Sequence, residues 1–513
     1  MTGFGPHGTL PHGVLPDSAA VVTTTATLRY STHGYTSKPT DTPANIGFDP
    51  RIVDGPVFEQ SVPLIGTAGR AALGFGDIAL WNGDYALTPL LDQYAIDGRS
   101  VTLLAGDGTR AYIGTWPAVS TFSTLFAGTS LGWRPDGDLI RIRLRDIVSR
   151  LDIPAQAEIY GGTGGIEGTS DHAGKPKPIA LGASFNVAPV PLGPVDLGDG
   201  LLYTFHVHFR AIQDVTSVRE RGAEITRTAA APGLAEYKVW PSLGVFQLGF
   251  TPNGEIKCDI QGDAVPYYLA SPSRLVRRLV EDLGTLTLAD IDTVAFDTFE
   301  YLRPGNTGLW VGAETVTVRA LVEYLVGGVG GFATQTRAGL LRIAVLDAPT
   351  LVADATLDEV DIQALEPLEL PAGLNPPPKR FRVGWKRNWA PSADLAPVVA
   401  QDFGATLIEE WRFVQEFVGS VALSHAQAGE LTITSAYADA VYAQMEVERL
   451  ANLYTPARRA FRIVTGAYLG QIELAHTVRF TWPFHGLSAG RNGVVYGWRE
   501  NRPAGQIELY VYG

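Results

Sequence analysis

Leu139-Ile140-Arg141-Ile142-Arg143-Leu144-Arg145 is the stretch on which the fold class turns. Leu139, Ile140, Ile142 and Leu144 are set against Arg141, Arg143 and Arg145 with a period of two. Only an extended chain puts every second side chain on one side, so this is a strand with one face in a core and one in water. The arginine face reads as solvated; the alternative is a contact with an acidic partner surface. Just before it, Asp136-Gly137-Asp138 reads as a turn. Farther out, Ile78–Trp81 runs into Asn82-Gly83-Asp84, a strong turn signal. Ser100–Leu104 reads as another strand, with Gly106-Asp107-Gly108 turning it and Ala111–Trp116 returning. A β-barrel-like block over residues 56–185 follows, preceded by an arm, residues 1–55, with one strand at Thr23–Tyr30 and a loop-like Ser31–Gly55.

Composition points the same way. The chain has 57 glycines and 34 prolines among 513 residues, above the usual shares of about 7% and 5%. They fall between apolar runs, as turns between short strands require. That excludes a coiled coil, a helical bundle and a disordered tail. A chain this long exceeds one hydrophobic core, so several domains are expected.

Residues 160–185 form a glycine-rich loop. A phosphate-binding reading fails on spacing, because a GxGxxG motif would need glycine where Glu167 stands, and Gly174-Lys175 is followed by Pro176. Residues 186–265 again alternate strands and turns, with Arg221-Gly222-Ala223 and Gly254 at hairpin tips. In Thr204–Phe209, His206 and His208 share one strand face. Two such histidines can ligate a metal, but no third ligand has a recognisable spacing, and a partly exposed polar face is the plainer reading.

Residues 266–350 change to an α+β unit of two helices and a hairpin. Ser271-Pro272 opens the first helix, Leu275, Val276, Leu279, Val280 and Leu283 form its stripe, and Gly284 ends it. Val318–Val326 is the second, with Leu321, Val322 and Leu325 inward. Phe332–Thr336 and Leu340–Leu346 flank the turn at Arg337–Gly339. Residues 351–513 form a last β-barrel-like block. It has a strand at Arg380–Trp385, an unassigned stretch at Ile408–Val418, and the longest helix at Ser435–Leu453. That helix has Ala438, Val441, Met445, Glu448 and Asn452 spaced around an Ala-rich face. Strands follow at Phe461–Gly466, Thr477–Trp482, Gly493–Trp498 and Gln506–Tyr512. The fold class is therefore mainly β, multidomain, with an α+β insertion.

Charge and chemistry narrow the function. Forty Lys and Arg against 53 Asp and Glu give −13, with no polybasic run, which disfavours binding to phosphate backbones. No sequence-specific nucleic-acid contact is expected. Cys258 is the single cysteine, so an intrachain disulfide and Cys-rich zinc sites are out. Met1–Leu15 lacks a positive patch and an apolar run, so no secretory signal is expected. The apolar stretch Leu321–Ala333 is too short to cross a bilayer, and no integral membrane segment is expected. Gly-x-Ser-x-Gly and His-Glu-x-x-His are absent, and Asp136-Gly-Asp138 and Asp290-Ile-Asp292 do not continue as calcium loops. The expectation is a non-enzyme with no catalytic, cofactor-binding or metal-binding residues.

Four stretches then carry a family resemblance. They are Gly174–Gly182 with Asn186–Pro189; Ser271–Pro349; Gly384–Trp389 with Asp394–Ala396; and the ending. The ending comprises Glu448–Ala451, Val478–Phe480, Gly486-Leu487, Gly490, Gly493–Tyr496 and Ile507–Leu509 to Gly513. In this order the chain from about residue 160 on resembles the tail-tip (baseplate) hub proteins of long-tailed bacteriophages and gene transfer agents. One departure is Ile472–His476, where such endings commonly carry a Leu-Gly-Asp turn. The resemblance implies a structural virion protein at the distal end of the tail, made in the host cytoplasm. It implies a homotrimer whose two tube-like hub domains per chain imitate six-fold symmetry and so join a hexameric tail ring. The implied partners are the distal tail or tail tube ring, the tape measure protein, and tip fibre or receptor-binding proteins, and the tip would open for DNA ejection. Two rivals remain: a hexameric distal tail ring protein, and a carbohydrate-binding or depolymerising tail protein using some of the 10 Trp, 19 Tyr and 21 Phe.

Overall fold

The computed structural model describes residues 2–6, 25–66, 69–106, 117–466, 471–501 and 504–513. The chain is mainly β and builds several sheets. Leu139–Arg145 is a strand between Ser123–Asp136 and Asp77–Trp81. Ile140, Ile142 and Leu144 are buried and Arg143 is exposed, while Arg141 bonds Asp136 at 2.6 Å. The eight-stranded N-terminal sheet runs from Tyr94–Ala95 through Thr2–Pro6, Ser100–Ala105 and these strands to Ile52–Asp54, with Ala26–Leu28 pairing off Thr2–Pro6. The expected loop Ser31–Gly55 holds the short strands Tyr35–Thr36, Gly47–Pro50 and Ile52–Asp54. The expected strand Thr23–Tyr30 is described from residue 25 as Ala26–Leu28 and Tyr30–Ser31. The expected return Ala111–Trp116 lies outside the described residues.

A second eight-stranded sheet lies in the C-terminal part. Its path is Ala355–Leu357, Thr477–Phe480, Arg491–Asn501, Gln506–Tyr512, Ala460–Gly466, Ile362–Leu368. Its two further strands come from the other end of the chain. Val57–Ser61 pairs with Gly497–Asn501, and Ala72–Gly74 pairs with Val57–Ser61. The boundary expected at residue 56 is therefore corrected. Only residues 55 and 56 separate the edge strand of one sheet from a strand of the other. The reason is edge satisfaction: the outer side of Arg491–Asn501 would otherwise present unpaired backbone, and its partner sits more than 400 positions away.

Between these sheets, two five-stranded sheets share a separate core of Val187, Phe205, Val215, Val218, Phe246 and Cys258. The boundary drawn at 185/186 cuts the strand Ile179–Val187, which also pairs with Gly308–Val311 from the α+β unit. That unit has three helices instead of two. The missed one, Thr293–Leu302, is rich in β-branched and aromatic residues, which mask a helix in sequence. It is capped by Asp292, which accepts from Ala295 N at 3.1 Å, and held by buried Phe296 and Phe299. The expected first helix is α-helical at Pro272–Arg278 and continues as one π turn, and Ser271 makes no side-chain cap bond.

The unassigned stretch resolves into the helix Gln401–Ile408 and the strand Arg412–Phe417. The long helix is Ala440–Tyr454, and its inner face is Ala443, Val447, Leu450 and Ala451, with Glu446 buried against Arg449. The face marked by Val441 and Met445 is the outer one, 69% and 46% exposed. Both faces have helical spacing, and packing against the sheet Arg412–Phe417, Arg380–Trp385, Glu430–Thr434 selects one of them.

Two glutamines lock the sheets to the hairpin Gly331–Gln335/Leu341–Val345. Gln60 Nε2 donates to Gln335 O at 3.0 Å, and Thr334 Oγ1 donates to Gln60 Oε1 at 3.1 Å. Gln335 Oε1 accepts from Ile147 N at 2.6 Å, and its Nε2 donates to Ala127 O at 3.1 Å. Phe58 of one sheet stacks on Phe126 of the other at 5.9 Å. Gln335→Leu keeps the volume but strands the Ile147 N–H and the Ala127 carbonyl. It is expected to cost about 1–3 kcal/mol for each stranded group, measured as a fall in urea midpoint at unchanged slope.

Candidate functional site

His206 and His208 are both buried, contrary to the partly exposed face expected. The strand Leu201–His206 ends between them, so they meet different partners. His206 Nδ1 lies 2.7 Å from Tyr160 Oη, under the glycine-rich loop. His208 Nδ1 accepts from Ala180 N at 3.1 Å, which puts the neutral ring's proton on Nε2, 3.7 Å from Asp263 Oδ1. Burial pushes the His206 pKa down to about 3 and lowers that of His208 as well. Among the described residues no three His, Cys, Asp or Glu side chains gather as a metal set. The Cys258 thiol is buried and pushed up, first by burial and then by Asp259, so it stays protonated.

Asp263 is the centre of an ion network. Its fully buried carboxylate accepts from Arg210 Nε at 2.9 Å, from Arg210 Nη2, from Arg278 Nη1 at 3.4 Å and from Val265 N at 3.0 Å. Burial alone would raise its pKa; His208 and Arg210 outweigh that and hold it below the usual carboxylate range. Arg278 lies on the helix Pro272–Arg278, so the network ties the central β unit to the α+β unit. It has the geometry of a structural pin. A cleft of about 260 Å³ is lined by Arg70, Asp146 and Arg319 with apolar neighbours, and that lining holds no nucleophilic Ser, Cys or His.

Two of the sequence stretches singled out above come together in space. Trp389 N donates to Phe185 O at 3.2 Å. Asn186 Nδ2 donates to Asn388 Oδ1 at 2.8 Å and to Ala390 O at 2.9 Å. Asn388 Nδ2 in turn donates to Leu407 O at 2.8 Å. Lys257 Nζ reaches Pro391 O at 3.1 Å, and Arg221 pairs with Asp394 at 2.7 Å. Sequence reading named both stretches but not their contact. The available signal was Asn186, a polar side chain inside an otherwise apolar strand.

The sheet centred on Arg380–Trp385 presents an open face. Register places Arg380 opposite Phe417 and Glu430, and Arg382 opposite Gln415 and Thr432. Arg382 lies 4.5 Å from the Phe413 ring centre and Arg380 5.7 Å from that of Phe417. Phe413 is 41% and Phe417 54% exposed. Among the described residues, neither Arg412–Phe417 nor Glu430–Thr434 pairs with a further strand on its outer edge. Free edges and bare aromatics favour addition of another chain.

No family model and no curated protein matches the chain. Among solved structures it is similar to a chain of a native gene transfer agent virion, at 13% identity over 66% of this chain and 84% of that one, with TM-score 0.39. It is similar to the tail protein from Neisseria meningitidis MC58, at 10% identity over 90% and 95%, with TM-score 0.38. It is also similar to a 43 kDa tail protein of prophage MuSo2 from Shewanella oneidensis, at 9% identity over 89% and 98%, with TM-score 0.33. At these TM-scores the likenesses carry no argument about function.

Acid should unfold this protein through its buried histidines. An unfolded histidine binds a proton near pH 6.5, whereas His206 stays neutral down to about 3. Its stabilising contribution is complete above pH ~6.5 and is lost as pH falls towards 3, with a slope approaching about 1.4 kcal/mol per pH unit for each such histidine. Urea unfolding from pH 7.5 to 4.5 checks this, and His206→Gln is expected to flatten the slope. Asp263→Asn leaves Arg210 and Arg278 without their anion and is expected to cost about 3–5 kcal/mol.

Proposed function

We propose that the chain is a structural protein of the tail of a long-tailed phage or gene transfer agent, and within it the hub at the distal end. In this reading it forms a homotrimer that closes the tail tube, joins the hexameric distal tail or tube ring, holds the end of the tape measure protein, and carries tip fibres or receptor-binding proteins. Its place is the virion, and it is not an enzyme. The observation that carries the reading is the pair of eight-stranded sheets, one at each end of the chain. Two tube-like units per chain, taken three times, offer six similar positions to a six-fold ring. We assign these units to the two sheets, with the expected 56–185 and 351–513 blocks adjusted for strand exchange at Val57–Ser61.

Other features support it. The sequence resemblance spans about two thirds of the chain. The open sheet face with Phe413 and Phe417 gives a subunit apolar surface to bury. The formal charge of −13 disfavours a grip on passing DNA.

The mass of the purified assembly tests the hub reading. Three chains are expected; six chains in a ring would replace it with the distal tail ring protein, and release of reducing ends from a surface glycan would favour the depolymerising protein. Phe413→Asp with Phe417→Asp is expected to weaken assembly at least about tenfold, while the monomer's stability changes by no more than about 0.5 kcal/mol. Sedimentation across a concentration series together with urea unfolding reads both numbers.

A further inference from the structure

Three cations converge on the ring of Phe185. The Arg412 guanidinium lies 4.6 Å from the ring centre, the Lys386 ammonium 4.9 Å and the Arg219 guanidinium 5.3 Å. The side chain of Arg219 is only 2% exposed. One carboxylate, Asp259, stands among them, and its oxygens are already taken. Oδ1 accepts from Asn186 N at 2.9 Å and from Arg219 Nη2, and Oδ2 accepts from Arg219 Nη1 at 3.0 Å. Among the described residues, no carboxylate pairs with Lys386 Nζ or with the Arg412 guanidinium. The Nε groups of Arg219 and Arg412 are buried without a hydrogen-bond partner.

Such an arrangement is unbalanced. Buried cations are normally paired, and a ring face offsets only about 0.5–2 kcal/mol per cation. The three positive charges also repel one another. Burial, then Arg412, lowers the Lys386 pKa, and burial lowers that of Arg412. The backbone adds an independent sign. Lys386 has φ +47°, in the left-handed region that glycine or asparagine usually fills, and its N–H is fixed to Tyr437 O at 2.7 Å. A lysine kept in that conformation presents its ammonium beside Arg412, and both side chains remain partly exposed to solvent.

We propose that the gap between Lys386 and Arg412 beside Phe185 binds one oxyanion, a carboxylate or a phosphate group. The anion completes the charge balance of the cluster and bridges the segment after Arg380–Trp385 to the strand Arg412–Phe417. A free phosphate or an acidic side chain of a neighbouring chain would supply the same chemistry. The inference does not rest on the assembly reading, because it concerns the charge balance inside one chain.

The test uses the intact protein at pH 7 and constant ionic strength, with chloride replaced stepwise by inorganic phosphate or by acetate. Intrinsic fluorescence follows the unfolding midpoint, and the ³¹P line width follows phosphate binding. A saturable rise in midpoint with line broadening is expected. Lys386→Gln and Arg412→Gln should each weaken the apparent affinity about tenfold. In chloride alone each should leave the midpoint level or raise it, since a repelling charge has gone. Acetate matching phosphate assigns the site to carboxylates, and a response to phosphate alone assigns it to phosphate; either supports the proposal. A non-saturating rise of equal size in the parent and both variants is general salting-out and overturns it, as does no response at all.

Discussion

An open strand edge in the interior is the constraint on which this structure depends. The outer side of Arg491–Asn501 is covered by two strands in succession, Thr477–Phe480 along its first part and Val57–Ser61 along Gly497–Asn501. Every buried N–H and C=O must find a partner, and a sheet built from residues 355–512 alone would leave that second part bare. Supplying Val57–Ser61 brings the N-terminal sheet with it, because only two residues link that strand to Ile52–Asp54. It also carries Gln60 to the hairpin and Phe58 to Phe126. One pairing thus sets the relation of three units.

Charge plays the complementary part. Charged residues are only 18% of the chain, yet several sit in buried networks, such as Asp263 with Arg210 and Arg278, and Glu446 with Arg449. Such pairs seldom add much net stability against an apolar equivalent, but half of one is expensive to leave behind. They therefore specify which surfaces meet. Arg278 can approach the central β unit only where Asp263 waits, and Arg221 meets the C-terminal part only at Asp394. The low overall charge leaves apolar and aromatic surface outside these joints, with Phe413 and Phe417 the clearest instance.

Legibility in the sequence followed the range of the interaction. Leu139–Arg145 was readable because alternation is a local property of an extended chain. The hairpin Gly331–Gln335/Leu341–Val345 was readable because its turn lies between its strands. The helix Thr293–Leu302 was not, since Phe296 and Phe299 gain their helical stability from burial and their intrinsic preference points elsewhere. The long helix was legible in existence but not in orientation, because Val441 and Met445 share a helical spacing as good as that of Ala443 and Val447. His206 and His208 looked like one face and became two separate contacts when the strand ended between them.

The sequence by itself determined the mainly β class, most strand positions, the α+β character of residues 266–350 and the absence of familiar catalytic or nucleotide-binding motifs. These follow from periodicity, turn chemistry and spacing, all readable within a dozen residues. Only the tertiary structure decided that Val57–Ser61 belongs to the C-terminal sheet, that Asn186 meets Asn388, and that Arg219, Lys386 and Arg412 surround Phe185. Each joins residues more than 30 positions apart, most of them far more. Nothing local encodes such a pairing; it exists because backbone edges and buried charges must be satisfied by whatever the closed fold brings within reach.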